Sequence, residues 1–259
     1  MDHFSLAGRV ALITGAGRGI GAGIARAYVD AGASVALVAR TTADIEALVE
    51  ELRGPTDAMA LTADVTDLDQ LPTLIEQTVS ELGSLDILVN NAGGEVSPPF
   101  LETRVDHLEA AFHFNVSVPF ELSRLAAPHL LQRPGASILN IGSIVVGQSV
   151  RGHLAHHVGK AAQAQLTLSM AADLGPRIRV NAILPGAIET EALQRYFDAK
   201  ADLREQLATH TRMRRIGTPE DVALTAVYLA SPASSWMTAK LVELDGGPID
   251  GLMEYEPDL

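Results

Sequence analysis

From residue 10 onward the chain alternates short apolar runs with longer segments of helical spacing, and this alternation constrains its fold more than any other feature. Residues 10–14, V-A-L-I-T, read as a strand, and 20–30 as a helix with Ile20, Ile24, Ala27 and Tyr28 on one face. Residues 34–39 are again strand-like, and 41–53 form a charged helix whose inner face is Ile45, Leu48, Val49 and Leu52. The spans 59–65, 68–82 and 85–89 repeat strand, helix and strand. Crossovers between parallel strands must return across the sheet, so the pattern predicts a doubly wound, Rossmann-type parallel sheet covered by helices on both faces, a three-layer α/β/α fold.

Beyond Pro98-Pro99 a long helical pattern covers 103–131, followed by a strand at 137–141, a helix at about 152–174 and a strand at 178–183 that Pro185-Gly186 stops. Residues 187–217 are less regular and more charged, with some helical spacing in Leu193, Tyr196, Phe197, Leu203 and Leu207. That stretch reads either as a mobile flap over a pocket or as a surface helical hairpin. Thr218 is a candidate N-cap for a helix over 219–230, and 241–244 is a last strand. With no linker and no low-complexity run, the expectation is one domain over 1–259.

The formal charge of -13 opposes phosphate backbones and anionic lipid, which excludes nucleic acid and membrane surfaces and favours small molecules as partners. The chain has no cysteine, so disulfides, thiolate nucleophiles and cysteine-ligated zinc are excluded, and no metal is expected. No apolar run approaches the length of a membrane span and the N-terminal residues lack a signal-peptide pattern, which predicts a soluble cytoplasmic protein.

Two stretches carry chemistry. The first is T-G-A-G-R-G-I-G between the first strand and the first helix, where Gly15, Gly19 and Gly21 allow a tight turn and a pyrophosphate can approach the N–H groups at a helix N-terminus. Alone, such a turn is a weak signal; between a strand and a helix it points to a dinucleotide. At the end of the second strand, where an acid would bind the ribose hydroxyls of NAD, the chain has Arg40, and Arg18 lies inside the glycine turn. Two guanidinium groups suit a 2′-phosphate and hence NADP(H) over NAD(H), the alternative being two surface arginines.

The second stretch is L-N-I-G-S-I-V-V-G-Q-S-V-R-G-H-L-A-H-H-V-G-K, residues 139–160. It places Ser143 just past a strand's carboxyl end, facing a helix that carries His156 and Lys160 one turn apart. A hydroxyl that holds a carbonyl oxygen, a lysine that lowers a neighbour's pKa and a residue between them that exchanges a proton make a proton-transfer site.

Together with A-D-V at 63–65, N-N-A-G at 90–93, F-N-V at 114–116, R-V-N-A-I-L-P-G at 179–186 and L-D-G-G at 244–247, these residues make a specific pattern. The chain resembles the short-chain dehydrogenases/reductases of the compact type over nearly its whole length, and is similar to the 3-oxoacyl-carrier-protein reductases and hydroxysteroid dehydrogenases. The resemblance implies that Gly15, Arg18, Gly19, Ile20 and Gly21 bind the cofactor, that Asp64 and Val65 flank its adenine, and that Asn91, Ala92 and Gly93 line its channel. It implies that Pro185, Gly186, Ile188 and Thr190 hold the nicotinamide, and that Asn115 completes a proton relay with Ser143, Lys160 and a tyrosine. Asn91 and Asn115 have a plainer reading, satisfying backbone groups at a strand end or a helix kink.

The resemblance breaks at one position. The family's tyrosine lies four residues before the lysine, where this chain has His156, and none of Tyr28, Tyr196, Tyr228 and Tyr255 is near Lys160 in sequence. An ammonium and an oxidised nicotinamide beside a histidine favour neutral imidazole, a base rather than an acid, so alcohol oxidation is expected to survive better than ketone reduction. Three readings stand: a working histidine, a cofactor-binding protein with little or no redox activity, and a proton donor borrowed from the flap at Tyr196. The substrate pocket is expected from 94–101, 144–154 and 187–213. Ile144, Val145, Val146, Leu193 and Phe197 would make it apolar, with Glu95, Gln148 and Arg195 as polar contacts. Arg212, Arg214 and Arg215 read as a clamp for an acyl-carrier phosphate or as a solvated face. The resemblance implies a homodimer or homotetramer built on the helices at 103–131 and 152–174 and on the C-terminal segment, whose acidic tail reaches a neighbour or stays free.

Overall fold

The computed structural model describes residues 3–94, 98–147, 151–200 and 202–248. Seven strands, β1 (Val10–Thr14), β2 (Ser34–Ala39), β3 (Ala58–Thr62), β4 (Ile87–Asn90), β5 (Ser137–Ile141), β6 (Arg179–Pro185) and β7 (Lys240–Leu244), form one sheet in the order β3-β2-β1-β4-β5-β6-β7. Every pair is parallel. The order reverses between β1 and β4, and in an open parallel sheet that switch point is where a crevice opens beyond the strand ends.

Strand residues alternate between two cores, as a period of two requires. Ala11, Ile13, Val35, Leu37, Ile87 and Val89 pack toward the helices α1 (Gly19–Asp30), α2 (Thr42–Glu51) and α9 (Pro219–Ala230). Leu12, Ala36, Val38, Leu88, Ile138 and Val180 pack toward α3 (Leu71–Leu82), α5 (Val118–Leu130) and α6 (Leu154–Leu174). The doubly wound α/β/α expectation holds. On the first face α1 and α9 approach closely at Gly23, where an added Cβ would stand 3.0 Å from Pro219 Cβ. Thr218 caps α9 as expected, its Oγ1 accepting from Asp221 N at 3.2 Å while Asp221 accepts from Thr218 N at 2.7 Å.

Several boundaries differ from the sequence expectation. The strand expected over 59–65 is Ala58–Thr62, because Asp64 Oδ1 takes Thr66 N and Oγ1 at 3.0 and 2.7 Å and turns the chain there. The strand expected at 85–89 is Ile87–Asn90, and that expected at 178–183 continues through Pro185 before Gly186 leaves the sheet. The continuous helix expected over 103–131 is broken into α4 (Val105–Phe112), a π turn at His113–Ser117, and α5. Pro119 has no N–H to donate to the carbonyl of Asn115, so the α-helical ladder loses a hydrogen bond at this point. The irregular span 187–217 contains two helices, α7 (Glu191–Ala199) and α8 (Leu203–Thr209). Phe197 is buried there, with the Arg204 guanidinium 5.1 Å from its ring centre. No helix among the described residues is long and apolar enough to cross a membrane.

Candidate active site

A cleft of about 360 Å³ opens at the switch point, beyond the carboxyl ends of β1, β2 and β4. Its wall includes Gly15, Arg18, Gly19, Ile20, Arg40, Asp64, Val65, Asn91, Ala92, Gly93 and Thr190, so most of the residues expected at a cofactor are brought to one place. Gly15 and Gly19 have φ of +64 and +55, the left-handed region that glycine enters without a steric penalty. Asn91 ties this turn to the sheet, its Nδ2 donating to Thr14 O and Gly15 O at 2.9 and 3.0 Å. That is the plainer role foreseen for Asn91, and it shapes the cleft floor.

The arginines at the rim have carboxylate partners that sequence reasoning missed. Arg18 Nη1 lies 3.2 Å from Glu191 Oε2 at the start of α7, and Arg40 Nη1 lies 3.9 Å from Asp64 Oδ2. Asp44 also lines the cleft. Both ion pairs are solvent-exposed, a setting in which such pairs contribute about 0–1 kcal/mol. The Asp64 carboxyl is held below its ordinary range first by the Thr66 hydroxyl and backbone N–H, with Arg40 adding less. Asp44 was legible as a first-turn acid of α2; Glu191 was not, because 173 residues separate it from Arg18.

Not every expected cofactor residue reaches the cleft wall. At Gly21 an added Cβ would stand 2.3 Å from Gly15 O, so this glycine serves the close packing of turn on helix. Gly186 N donates to Leu244 O at 2.9 Å, and an added Cβ there would stand 2.8 Å from Asp245 Cα. Ile188 is buried and bridges to Gly217 at the base of the α7–α8 hairpin, and Pro185 is the last residue of β6.

Deeper in, α6 packs against α4, the π turn, β6 and the short turn Ile144–Val146 that follows Ser143. Ser143 Oγ accepts from Val145 N at 3.4 Å and so begins that turn. Lys160 is buried, its Nζ donating to Ile141 O at 2.8 Å and to Gln163 Oε1 at 3.0 Å. Burial lowers the Lys160 ammonium to about 8. Asn115 is fully buried, with Oδ1 accepting from Gly94 N at 3.0 Å and Nδ2 donating to Ala111 O at 2.8 Å. Its amide therefore repairs the π turn and anchors the chain after β4. A Cβ on Gly93 would stand 3.0 Å from Asn115 Oδ1 and 3.1 Å from Lys160 Nζ, so both side chains meet the cleft floor at Gly93.

His156 lies one turn before Lys160 on α6, half-buried, and its imidazole is lowered to about 4. Burial is the larger cause, and the Lys160 charge comes second. Sequence reasoning had named the charge and missed the burial. His153 and His157 stack at 6.2 Å between ring centres on the same helix. Tyr196 is exposed on α7. Of the expected pocket wall, Ile144, Val145, Val146 and Leu193 are half-buried, while Glu95 and Gln148 lie outside the described residues, as does nearly all of the acidic tail. Arg215 forms a two-point pair with Asp221, at 2.6 and 2.8 Å, in place of an open clamp. Among the described residues, no cluster of three or more His, Asp or Glu is arranged to hold a metal ion.

A family model described as enoyl-(acyl carrier protein) reductase matches residues 15–248. An uncharacterized oxidoreductase of Mycobacterium tuberculosis is 43% identical over 249 residues, covering 95% of this chain and 94% of that one. This chain belongs to the short-chain dehydrogenase/reductase family. The 7α-hydroxysteroid dehydrogenase of Escherichia coli K12 is 38% identical over 256 residues, 97% of this chain and 98% of its own. A solved 7α-hydroxysteroid dehydrogenase, in complex with NADH and 7-oxo glycochenodeoxycholic acid, superposes with a TM-score of 0.92 at 37% identity, covering 97% of this chain and 98% of that one. Members of the family are oxidoreductases that bind NAD(P)(H). The cleft suits such a group: a glycine turn with two left-handed residues at a helix N-terminus, a floor at Gly93, and two guanidinium groups at the rim.

Proposed function

We propose that the protein is an NADP(H)-dependent oxidoreductase that interconverts a ketone and a secondary alcohol on a small to medium apolar substrate. The carrying observation is that a buried Lys160 reaches the cleft floor at Gly93 with His156 one helical turn away. Bound NADP(H) supplies or accepts the hydride. Gly15 and Gly19 would hold its phosphates, Thr190 would hold the nicotinamide, and Arg18 and Arg40 would hold a 2′-phosphate, exchanging exposed carboxylate partners for a dianion. Ser143 would orient the substrate oxygen, and His156 would exchange the proton with it. Lys160 would orient the cofactor's sugar and press on His156, while Asn115 would keep the channel wall at Gly94 in place.

With its imidazole near 4, His156 is neutral at physiological pH and acts as a base. Alcohol oxidation is therefore the favoured direction, and ketone reduction gains as pH falls toward 4. The same lowered imidazole favours a second reading, a cofactor-binding protein with little redox activity. Fluorescence titration with NADPH and NADH, followed by turnover of apolar ketones and secondary alcohols across pH, separates the two. Tight NADPH binding with oxidation that outpaces reduction at neutral pH supports the enzyme. Binding without turnover in both directions at every pH supports the second reading, and gained activity in His156→Tyr would mark a preserved but impaired site. Turnover that survives in His156→Phe and disappears in Tyr196→Phe would move the proton donor to the flap.

The protein is further proposed to work in the cytoplasm as one domain with a flap at about 187–217. It would assemble as a homodimer or homotetramer through α4, α5 and α6, which expose Val105, Phe112, Phe120 and Val158. Elution as a monomer in gel filtration would remove the assembly proposal.

A further inference from the structure

Lys160 has a partner that the motifs do not point to. Gln163, one turn further along α6, is buried, and its Oε1 lies 3.0 Å from Lys160 Nζ. An ammonium only donates, so the amide must present its oxygen, and the orientation of the Gln163 side chain is thereby decided. Gln163 Nε2 is then a buried donor with no hydrogen-bond partner among the described residues. Leaving such a donor unsatisfied is unfavourable, and an apolar side chain of similar size would avoid it. The compensation lies at the other end of the amide, where a charge taken wholly out of water needs acceptors. Ile141 O supplies one acceptor at 2.8 Å and Gln163 Oε1 the second. These two hold the ammonium against β5 and α6, leaving the third donor for the side of Gly93 and Asn115.

We propose that Gln163 is a positioning residue for Lys160, its Oε1 keeping the buried ammonium charged and aimed at the cleft floor. The importance of this for catalysis rests on the reading of Lys160 given above. Around Lys160, α4, the π turn, the Ile144–Val146 turn, β5 and β6 bring no charge that shifts it among the described residues, and burial is the cause of its lowering. His113 of the π turn is occupied with Thr66 O at 2.7 Å. The titratable groups close by are on α6: His156, on which Lys160 acts, with His153 and His157 beyond it. Without its second acceptor the ammonium gives up its proton more readily, and a carboxylate in the same place holds the proton more firmly.

The test uses the full chain with its three lysines, Lys160, Lys200 and Lys240, isotope-labelled at the ε-carbon and titrated by NMR. Gln163→Leu is expected to move the Lys160 midpoint below the wild-type value by about one pH unit, a tenfold change in proton affinity, and Gln163→Glu to move it above. Lys200 and Lys240 stay in place. His156 titrates near 4, where Lys160 is charged in the wild type and in Gln163→Leu alike, so its midpoint is expected to stay the same between those two proteins. Identical Lys160 midpoints in the three proteins, with only thermal stability altered, would overturn the proposal. If Gln163→Leu does not fold, Gln163→Glu decides alone, since its midpoint must rise. A preserved order of midpoints in a protein that turns over no substrate retires the oxidoreductase reading and leaves the Gln163–Lys160 pairing standing.

Discussion

The cleft rim and the α6 interior hold charge in opposite ways. At the rim, Arg18–Glu191 and Arg40–Asp64 face solvent, with the arginine side chains 55% and 74% exposed. Water screens them and either partner can be exchanged for a ligand at small cost. Inside, Lys160 is buried with two neutral acceptors and, among the described residues, no counterion, and both it and His156 titrate well below their ordinary values. Exposed charge is replaceable by a ligand, whereas the protonation of a buried charge is tuned by its surroundings.

The largest effect expected from breaking this contrast is at Lys160. Lys160→Met should reduce turnover by at least ~100-fold and let the His156 imidazole rise from about 4 toward the ordinary histidine range, stopping short of it because burial remains. Turnover assays and the histidine ring signals in NMR check both parts. At the rim, Arg40→Asp should weaken NADPH by roughly 10- to 100-fold, the worth of a charge-assisted contact, while NADH binding holds or improves. Equal losses for the two nucleotides would deny Arg40 its place at a 2′-phosphate. A smaller effect should come from salt: raising ionic strength should weaken NADPH more than NADH, by about a few-fold, and leave the titrations of Lys160 and His156 where they are.

Stability should carry the same contrast in its dependence on pH. The folded His156 binds its proton less readily than the unfolded chain does, so its contribution is complete above the ordinary value of 6.5 and declines as pH falls toward about 4. Lys160 acts with the same sign in a higher window, stability rising with pH between about 8 and 10.5. Denaturant unfolding at several pH values should show both slopes in the wild type, and His156→Phe should flatten the acidic one alone.

Much of the site was legible in the sequence because its residues are set by local backbone demands. Gly15 and Gly19 are needed where φ is positive, and Thr218 caps a helix through a residue three places on. Ser143, His156 and Lys160 were placed by strand end and helical spacing. Gln163 is equally close in sequence, but helical spacing does not single it out; its meaning depends on the burial of the ammonium beside it. The break at Asn115 was missed, because the helical spacing runs on through 103–131 and a proline alone does not stop a helix, as Pro128 inside α5 shows.

By itself the sequence determined the alternation of strands and helices, the glycine turn and the spacing of Ser143, His156 and Lys160. Each follows from a repeat of two or 3.6 residues or from a steric demand of one residue. Only the tertiary structure decided that Glu191 meets Arg18, that Asn115 spends its amide on Gly94 and Ala111, and that burial outweighs charge at His156. Those outcomes depend on which distant segments exclude water from a side chain and which bring it a partner, and neither quantity is a property of local sequence.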